Sequence, residues 1–281
     1  MNEINSWLNY TGNKFKLLPQ ILPLMDYSKK NFVDLFCGGF VVGANVLDRY
    51  DMVFANDIIS DVVFAHQELI NDASFVSRVK LHCPDKNSPS DYDYLRNNYN
   101  DDPTPEKLCA LIFSCTNNML RFNTKGKFNQ TFGKRSFSDS TQKKIDDFLG
   151  HVLSFKDKIT FSSRHFQCFA LPESSMVYID PPYGYDIDAF GCIGNKQLSE
   201  AGYNAFWRKE DEKNLYDYCR KLCPLGHSFM LSGLWKHGDK TSWLINKLIE
   251  DGFNYRVLQC DYDKVSRNGK KTSVEVVVMN Y

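Results

Sequence analysis

The sequence predicts an α/β protein in which one mainly parallel sheet is interrupted by an inserted, mainly helical domain that carries a β-hairpin. Three observations predict it. A short apolar strand at FVDLF (32–36) breaks at Cys37-Gly38-Gly39 into a helix-like stretch, and a second strand follows at MVFAND (52–57). From about residue 72 to 105 the texture turns polar and rich in Pro and Asn, which marks the edge of another module. Strand character then returns at KITFSS and MVYID and alternates with helical stretches to the end, the pattern of a sheet resumed after an interruption.

Taken in chain order, VVGANVLDRY reads as a helix behind the glycines, and VVFAHQELI as a second helix behind MVFAND. Within the inserted stretch a helix runs through KLCALIFSC and leads into NMLRFNTKGKFNQTFGKRSF. There Asn and Gly lie between alternating aromatics, as a hairpin requires. A further helix covers roughly 140–154. After KITFSS and MVYID come a charged helix (208–222), the strand HSFMLSG and a helix (239–251). YRVLQCDY and SVEVVVMNY lie close together and predict an antiparallel edge, with the basic KVSRNGKK (264–271) as the turn between them.

Composition narrows the function classes. Lys plus Arg equal Asp plus Glu at 34 each, so no global field draws this chain to nucleic acid, and such a partner needs a local basic patch. Phe113 to Arg135 supplies one, with Arg121, Lys125, Lys127, Lys134 and Arg135 and no acid. The nine cysteines contain no C-x-x-C pair, so they predict reduced, mostly buried thiols and neither a disulfide framework nor a metal site. MNEINSWLNY lacks the cationic lead and apolar core of a signal peptide, and no stretch approaches the ~20 apolar residues of a membrane span. A soluble, cytoplasmic protein is expected.

Two motifs carry chemistry. In MVYIDPPYGYD (176–186) a buried strand ends in an acid and then two residues of fixed φ. Alone it is a strand exit; in a cleft it is an acceptor group on a rigid backbone. The Gly38-Gly39 turn lets a ligand approach the backbone, and Asp57 ends the next strand 19 residues beyond Gly38, the spacing at which an acid meets ribose hydroxyls. The alternative is a plain tight turn with Asp57 capping a helix. The G-x-G-x-x-G pattern of a pyrophosphate site is missing, so a ligand with adenosine and no phosphates fits better.

YTGNK (10–14), FVDLFCGG (32–39), AND (55–57), NMLRFNTKGKFN (118–129), FGKR (132–135), SSRHF (162–166), DPPY (180–183) and YNAFW (203–207) together resemble the Dam-type DNA adenine-N6 methyltransferases, in this order along most of the chain. The resemblance implies a Rossmann-like sheet that binds S-adenosyl-L-methionine (AdoMet), with a catalytic domain at 1–64 and 156–281 and a DNA target-recognition domain at 65–155. It implies that Asp180 and the carbonyl of Pro181 accept hydrogen bonds from the adenine amine, that Pro182 stiffens the exit, and that Tyr183 stacks on a flipped-out base. Tyr10, Lys14, Phe36, Cys37, Gly38, Gly39, Asp57, Phe166 and Asp180 are implied to line the cofactor, Lys14 against its methionine carboxylate and Asp57 at its adenosine. A core role for Phe166 remains open. Arg121, Asn123 and Arg135 are implied to contact bases or fill the vacated space, with Asn118 and Met119 beside them, and Lys125, Lys127 and Lys134 to meet phosphates. No metal is implied. Double-stranded DNA is the expected partner, met by a monomer or a weak dimer.

The expected reaction is methyl transfer to adenine N6 within a short site, GATC or a related sequence. Thr131 stands where GATC-methylating relatives usually carry proline, and the 184–201 stretch is longer than expected between DPPY and YNAFW. The alternatives are an RNA or protein amino-group methyltransferase and a catalytically silent DNA-binding homologue.

Overall fold

The structure, a computed structural model, describes residues 3–123, 125–182, 207, 209–238, 240–259 and 273–281. The expectations placed on Tyr183, on 184–201, on most of YNAFW and on the 264–271 turn lie outside the described residues.

Strands β1 (Asn31–Asp34), β2 (Met52–Asn56), β3 (Ile159–Ser162), β4 (Ser175–Ile179), β5 (Ser228–His237), β6 (Lys240–Thr241), β7 (Asn254–Leu258) and β8 (Ser273–Met279) form one sheet. Its order is β3-β2-β1-β4-β5-β8-β7, with β6 added to β5. Neighbours from β3 to β5 are parallel, and β8 is antiparallel to both β5 and β7. The antiparallel edge expected at the C-terminus is therefore present, with β8 inside and β7 outermost. A parallel sheet must be covered on both faces, and the strands alternate accordingly. Phe32, Met176, Tyr178, Met230 and Val277 enter one apolar cluster, whereas Val33, Val177, Ile179, Phe229, Leu231 and Val276 enter another.

Helices α1 (Leu18–Ile21) and α2 (Val41–Ala44) are single turns. The helix expected through VVGANVLDRY stops after α2 because Asn45 turns its side chain to other work. Its Nδ2 donates to the carbonyls of Val41 (2.7 Å) and Ile4 (2.8 Å), and its Oδ1 accepts from Ile4 N. Helix α3 (Ser60–Asn71) follows β2 as expected. The polar stretch after it holds two helices that the sequence reading did not assign, α4 (Phe75–His82) and α5 (Pro89–Asp101). Two of its prolines, Pro89 and Pro105, taken for loop punctuation, are helix starts. Ser88 caps α5 by accepting from Asp91 N at 3.3 Å, with Pro89 in the first position, and Thr104 caps α6 (Pro105–Ser114) by accepting from Lys107 N at 3.4 Å. Arg78 on α4 fastens the group by pairing with Glu68 of α3, Asp72 and Glu106 of α6.

Helix α7 (Asp139–Val152) closes the insertion, and α8 (Lys209–Leu222) and α9 (Trp243–Glu250) cover the second face of the sheet through Leu215, Cys219, Leu244 and Leu248. The first face shares its apolar cluster with the insertion, since Phe75, Leu108, Phe113, Phe122 and Phe128 lie in the same core as Phe32 and Val53. No described cysteine is disulfide-bonded, and among the described residues no helix is long and apolar enough to cross a membrane.

Each N-cap oxygen satisfies an otherwise orphaned helix donor. Ser88→Ala and Thr104→Ala should each lower unfolding stability by about 1 kcal/mol in urea titrations, whereas Ser90→Ala, two residues into α5, should change it by much less.

Candidate active site

The strand order reverses between β1 and β4, and in an open α/β sheet the crevice beyond the carboxyl ends at such a point is where ligands bind. Both chemical motifs leave the sheet there. Asp34 pairs with Tyr178 in register, Leu35 N donates to Tyr178 O at 3.0 Å, and the two chains then diverge, one into the glycine turn and one into Asp180-Pro181-Pro182. Pro181 is buried and Pro182 half-buried, so the exit from β4 is held by packing as well as by its fixed φ.

Asp180 meets a cation. Lys14 donates from Nζ to Asp180 Oδ2 at 2.7 Å and to Gly12 O at 3.0 Å, with its side chain only 5% exposed. On the other carboxylate oxygen, Ser232 Oγ donates to Oδ1 at 3.0 Å, and Ser232 Oγ lies 2.8 Å from Tyr178 OH. Burial pushes the Asp180 carboxyl above the usual carboxylate range, while Lys14 and Ser232 draw it back. Burial also opposes the Lys14 charge, but Asp180, Tyr178 and Glu275 outweigh it and the ammonium ends well above its ordinary value. The ammonium at 2.7 Å favours the ionised form of the carboxylate.

The glycine turn is clamped from both sides. Asp57 accepts from Gly38 N at 2.9 Å through Oδ2 and from Ile59 N at 3.0 Å through Oδ1. On the carbonyl side, His66 Nε2 lies 2.8 Å from Gly38 O, and its Nδ1 accepts from the Trp7 indole at 2.8 Å. An indole nitrogen can only donate, so Nδ1 is the bare nitrogen and Nε2 carries the proton that Gly38 O accepts. Burial lowers the imidazole to about 4, which keeps this tautomer neutral. Gly38 itself has φ +44°, and a Cβ there would stand 2.7 Å from Tyr10 Cε1, so the Tyr10 ring covers the turn as closely as the missing side chain permits. Cys37 is buried, with its thiol pushed up by burial and by Asp57 and Asp34, which suits a lining residue and not a nucleophile.

Beyond the turn, Phe36, Phe166 and Trp207 form an aromatic group with centroids 5.6 to 5.8 Å apart. Phe166 is buried and also meets Tyr218, so it belongs to the core of that face. Among the described residues, Thr11 Oγ1, Trp207 Nε1 and Tyr218 OH are buried polar atoms without a hydrogen-bond partner. Buried polar groups are rarely left so, and these lie in YTGNK or against the aromatic group.

The basic segment folds back on itself. Isolated antiparallel bridges join Cys115 with Phe132 and Phe122 with Phe128, which gives the expected hairpin. Asn100 on α5 holds it through two bonds to the Phe128 backbone, and Tyr92 OH donates to Gln130 O. A Cβ at Gly133 would meet Cys115 O at 2.6 Å, so the FGKR strand closes against α6 only because that residue has none. Asn123, implied to read a base, holds its own turn, its Oδ1 accepting from Lys125 N and Lys127 N. Lys125 and Lys127 are exposed at the tip, and Lys127 stands 3.6 Å from Asp101. At the hairpin base Asn118 and Lys134 have positive φ, and Arg135 donates to Asn118 Oδ1 at 3.0 Å while Asn118 Nδ2 donates to Ile112 O at 2.8 Å. Arg121 and Met119 are half-buried beside it.

Sequence reasoning missed Trp7, His66, Tyr178, Ser232 and Glu275. Trp7 and His66 lie 59 residues apart, and no spacing rule joins them.

The family model for D12 class N6 adenine-specific DNA methyltransferases matches residues 10–262. The chain is 30% identical to modification methylase StsI of Streptococcus sanguinis and 31% identical to the type II methyltransferase M.FokI of Planomicrobium okeanokoites, in each case over 99% of this chain and 43% of the relative. It spans less than half the length of those two. With type II methyltransferase M.MjaIII of Methanocaldococcus jannaschii it shares 26% identity over 99% of this chain and the whole of the relative.

The neutral His66 clamp has a pH signature. In the unfolded chain the imidazole titrates near 6.5, and in the native state near 4. Above pH 6.5 both states are neutral and the clamp's contribution is complete; between 6.5 and about 4 the unfolded chain takes up a proton that the native state refuses. Stability due to His66 is lost as pH falls through that window, by at most roughly 3 kcal/mol. Urea titrations should show the wild type's advantage over His66→Gln shrinking across it. An advantage that stays constant with pH would mean the clamp does not depend on a neutral ring.

Proposed function

The chain belongs to the D12 class of N6 adenine-specific DNA methyltransferases, and on that premise we propose that it methylates the N6 amine of an adenine swung out of a short duplex site, with AdoMet as methyl donor. The observation that carries the proposal is the Asp180 carboxylate, held by Lys14 and Ser232 on a proline-stiffened strand exit beside the glycine turn.

The amine of adenine is a weak nucleophile because its lone pair is delocalised into the ring. Two acceptors facing its N–H bonds draw that pair back onto nitrogen, and Asp180 with the Pro181 carbonyl are the two. Each carboxylate oxygen has two lone-pair sites, so the bonds from Lys14 and Ser232 leave Asp180 capacity to accept from the amine. Because prolines fix the exit, little reorganisation is needed as charge develops. AdoMet, when bound, supplies an electrophilic methyl group on a sulfonium. The glycine turn, Tyr10 and Asp57 fit its methionine and ribose parts, and the Phe36–Trp207 group its adenine. Thr11 Oγ1 and Trp207 Nε1 offer polar contacts there. The protein then contributes alignment and acceptor groups, without a covalent intermediate.

Within residues 65–155, Arg121 and Arg135 are base readers and Lys125, Lys127 and Lys134 phosphate contacts, in a protein that acts in the cytoplasm as a monomer or weak dimer on DNA. GATC is the leading site, and a related sequence centred on AT is the alternative, since Thr131 departs from the usual proline.

Sequencing modified bases in DNA from cells expressing the protein should find N6-methyladenine in one short motif. Label entering RNA or protein instead would overturn the reading. Asp180→Ala should abolish methylation while DNA affinity stays within a few-fold, since its acceptor acts mainly as the methyl moves. Arg135→Ala should relax sequence preference, whereas Lys127→Ala should weaken binding to all sequences and flatten its salt response, as binding titrations at several salt concentrations will show.

A further inference from the structure

We infer that Tyr178 and Ser232 form a hydroxyl relay that sets the orientation of the Asp180 carboxylate, making both positioning residues for methyl transfer. The inference rests on the reading of Asp180 as acceptor for the adenine amine.

Donor arithmetic fixes the direction of the relay. An ionised carboxylate only accepts, so the bond between Ser232 Oγ and Asp180 Oδ1 uses the one proton that serine has. The contact between Ser232 Oγ and Tyr178 OH, 2.8 Å long, must then run from the phenol to the serine. The chain is Tyr178 O–H to Ser232 O–H to Asp180 Oδ1, with Lys14 on Oδ2. Each oxygen of the carboxylate is thus tied, and its plane cannot rotate without breaking a bond to a charged group. What it presents to the crevice is the remaining lone-pair direction.

The relay is rigid because of where it stands. Tyr178 is 1% and Ser232 0% exposed, on adjacent parallel strands whose register places Met230 beside Tyr178. Ser232 and Met230 share one side of β5, and Asp180, one residue past the end of β4, keeps to the side of Tyr178, so the three groups follow from the alternation of the strand and its exit. Among the described residues, the charged and titratable groups facing Asp180 are Lys14 from the N-terminal segment, Tyr178 from the strand before it, Asp34 from β1 and Glu275 from β8. Ser232 is the neutral donor among them. It steadies the ionised form without adding a charge.

The test uses the intact chain, AdoMet labelled in its methyl group and unmethylated genomic DNA. Ser232→Ala should lower kcat roughly 10- to 100-fold, the usual worth of a hydrogen bond to a charged group. Its affinity for AdoMet and for DNA should stay within about threefold, and the acid limb of its kcat profile should move to higher pH, because the carboxylate has lost a bond that favours ionisation. Tyr178→Phe keeps the buried ring and removes only the hydroxyl. It should lower kcat less, and in the Ser232→Ala background it should have no further effect, since it acts through the serine. Unchanged kcat and pH limb in Ser232→Ala, or additive losses in the double variant, would overturn the relay. If Ser232→Ala fails to fold, Tyr178→Phe decides alone: a shifted acid limb supports the relay, and an unshifted one overturns it. Full activity in Asp180→Ala, which removes the acceptor, would instead overturn the acceptor reading beneath it.

Discussion

The ion pair between Lys14 and Asp180 is the constraint on which the site depends. Two charges taken out of water repay their desolvation only when the geometry is good and the remaining hydrogen-bonding capacity is used. Here the surroundings supply it, with Gly12 O on the ammonium and Ser232 on the carboxylate. The pair joins positions 166 residues apart, so the YTGNK segment has to lie across the end of β4 before either charge is satisfied. That requirement brings Tyr10 over the glycine turn and Thr11 into the crevice. The proposed acceptor and the segment proposed to line the cofactor are thereby assembled by one contact.

The glycine turn answers a second demand. Its backbone must be open enough for a ligand to approach, yet held well enough to keep one shape. Asp57 and the Trp7–His66 pair meet this by taking the Gly38 N–H and carbonyl separately, from opposite sides. Charge is used on one side and a neutral ring on the other. A cationic imidazole would require hydration that a fully buried site cannot provide, and Nδ1 would lose its ability to accept from Trp7. Asp34, behind the turn, accepts from Gly43 N and is pushed by burial to about 7, so its negative charge is only lightly held at neutral pH.

Much of the frame was legible because period and punctuation are local properties. FVDLF, MVFAND, MVYID and SVEVVVMNY are strands wherever short apolar runs meet turn residues, and the close spacing of the last two strands was enough to place an antiparallel edge. DPPY and the glycine pair stood out because prolines and glycines constrain φ directly. What stayed hidden depends on contacts across the chain or on two meanings of one residue. Pro89 and Pro105 looked like breakers, although proline equally begins a helix when a capping serine or threonine precedes it, and only packing of Tyr92 and Leu95 shows which applies. Asn123 was matched to a base-reading position, yet an asparagine next to a glycine turn is also a ready partner for two backbone amides. His66 and Ser232 carry no local signal at all. Each matters through the group it faces.

The division between the sheet and the helical insertion is sharper along the sequence than in space. Trp7 packs edge-on against His66 of α3, Phe75 of α4 and Phe113 of α6, so a residue tied to the glycine turn is also in the core of the insertion. Two modules on a flexible hinge would let the basic hairpin wander relative to Asp180. A shared close-packed core suppresses that motion, because interiors at crystal-like density have little free volume in which to slip. On the proposed reading, in which the hairpin reads bases beside a flipped adenine, the distance between reader and acceptor is part of the specificity. Catalysis loses heavily on misplacements of about 1 Å. The neutral net charge fits the same proposal: with little long-range attraction to DNA, the basic hairpin and the rigid frame behind it would decide where the protein binds.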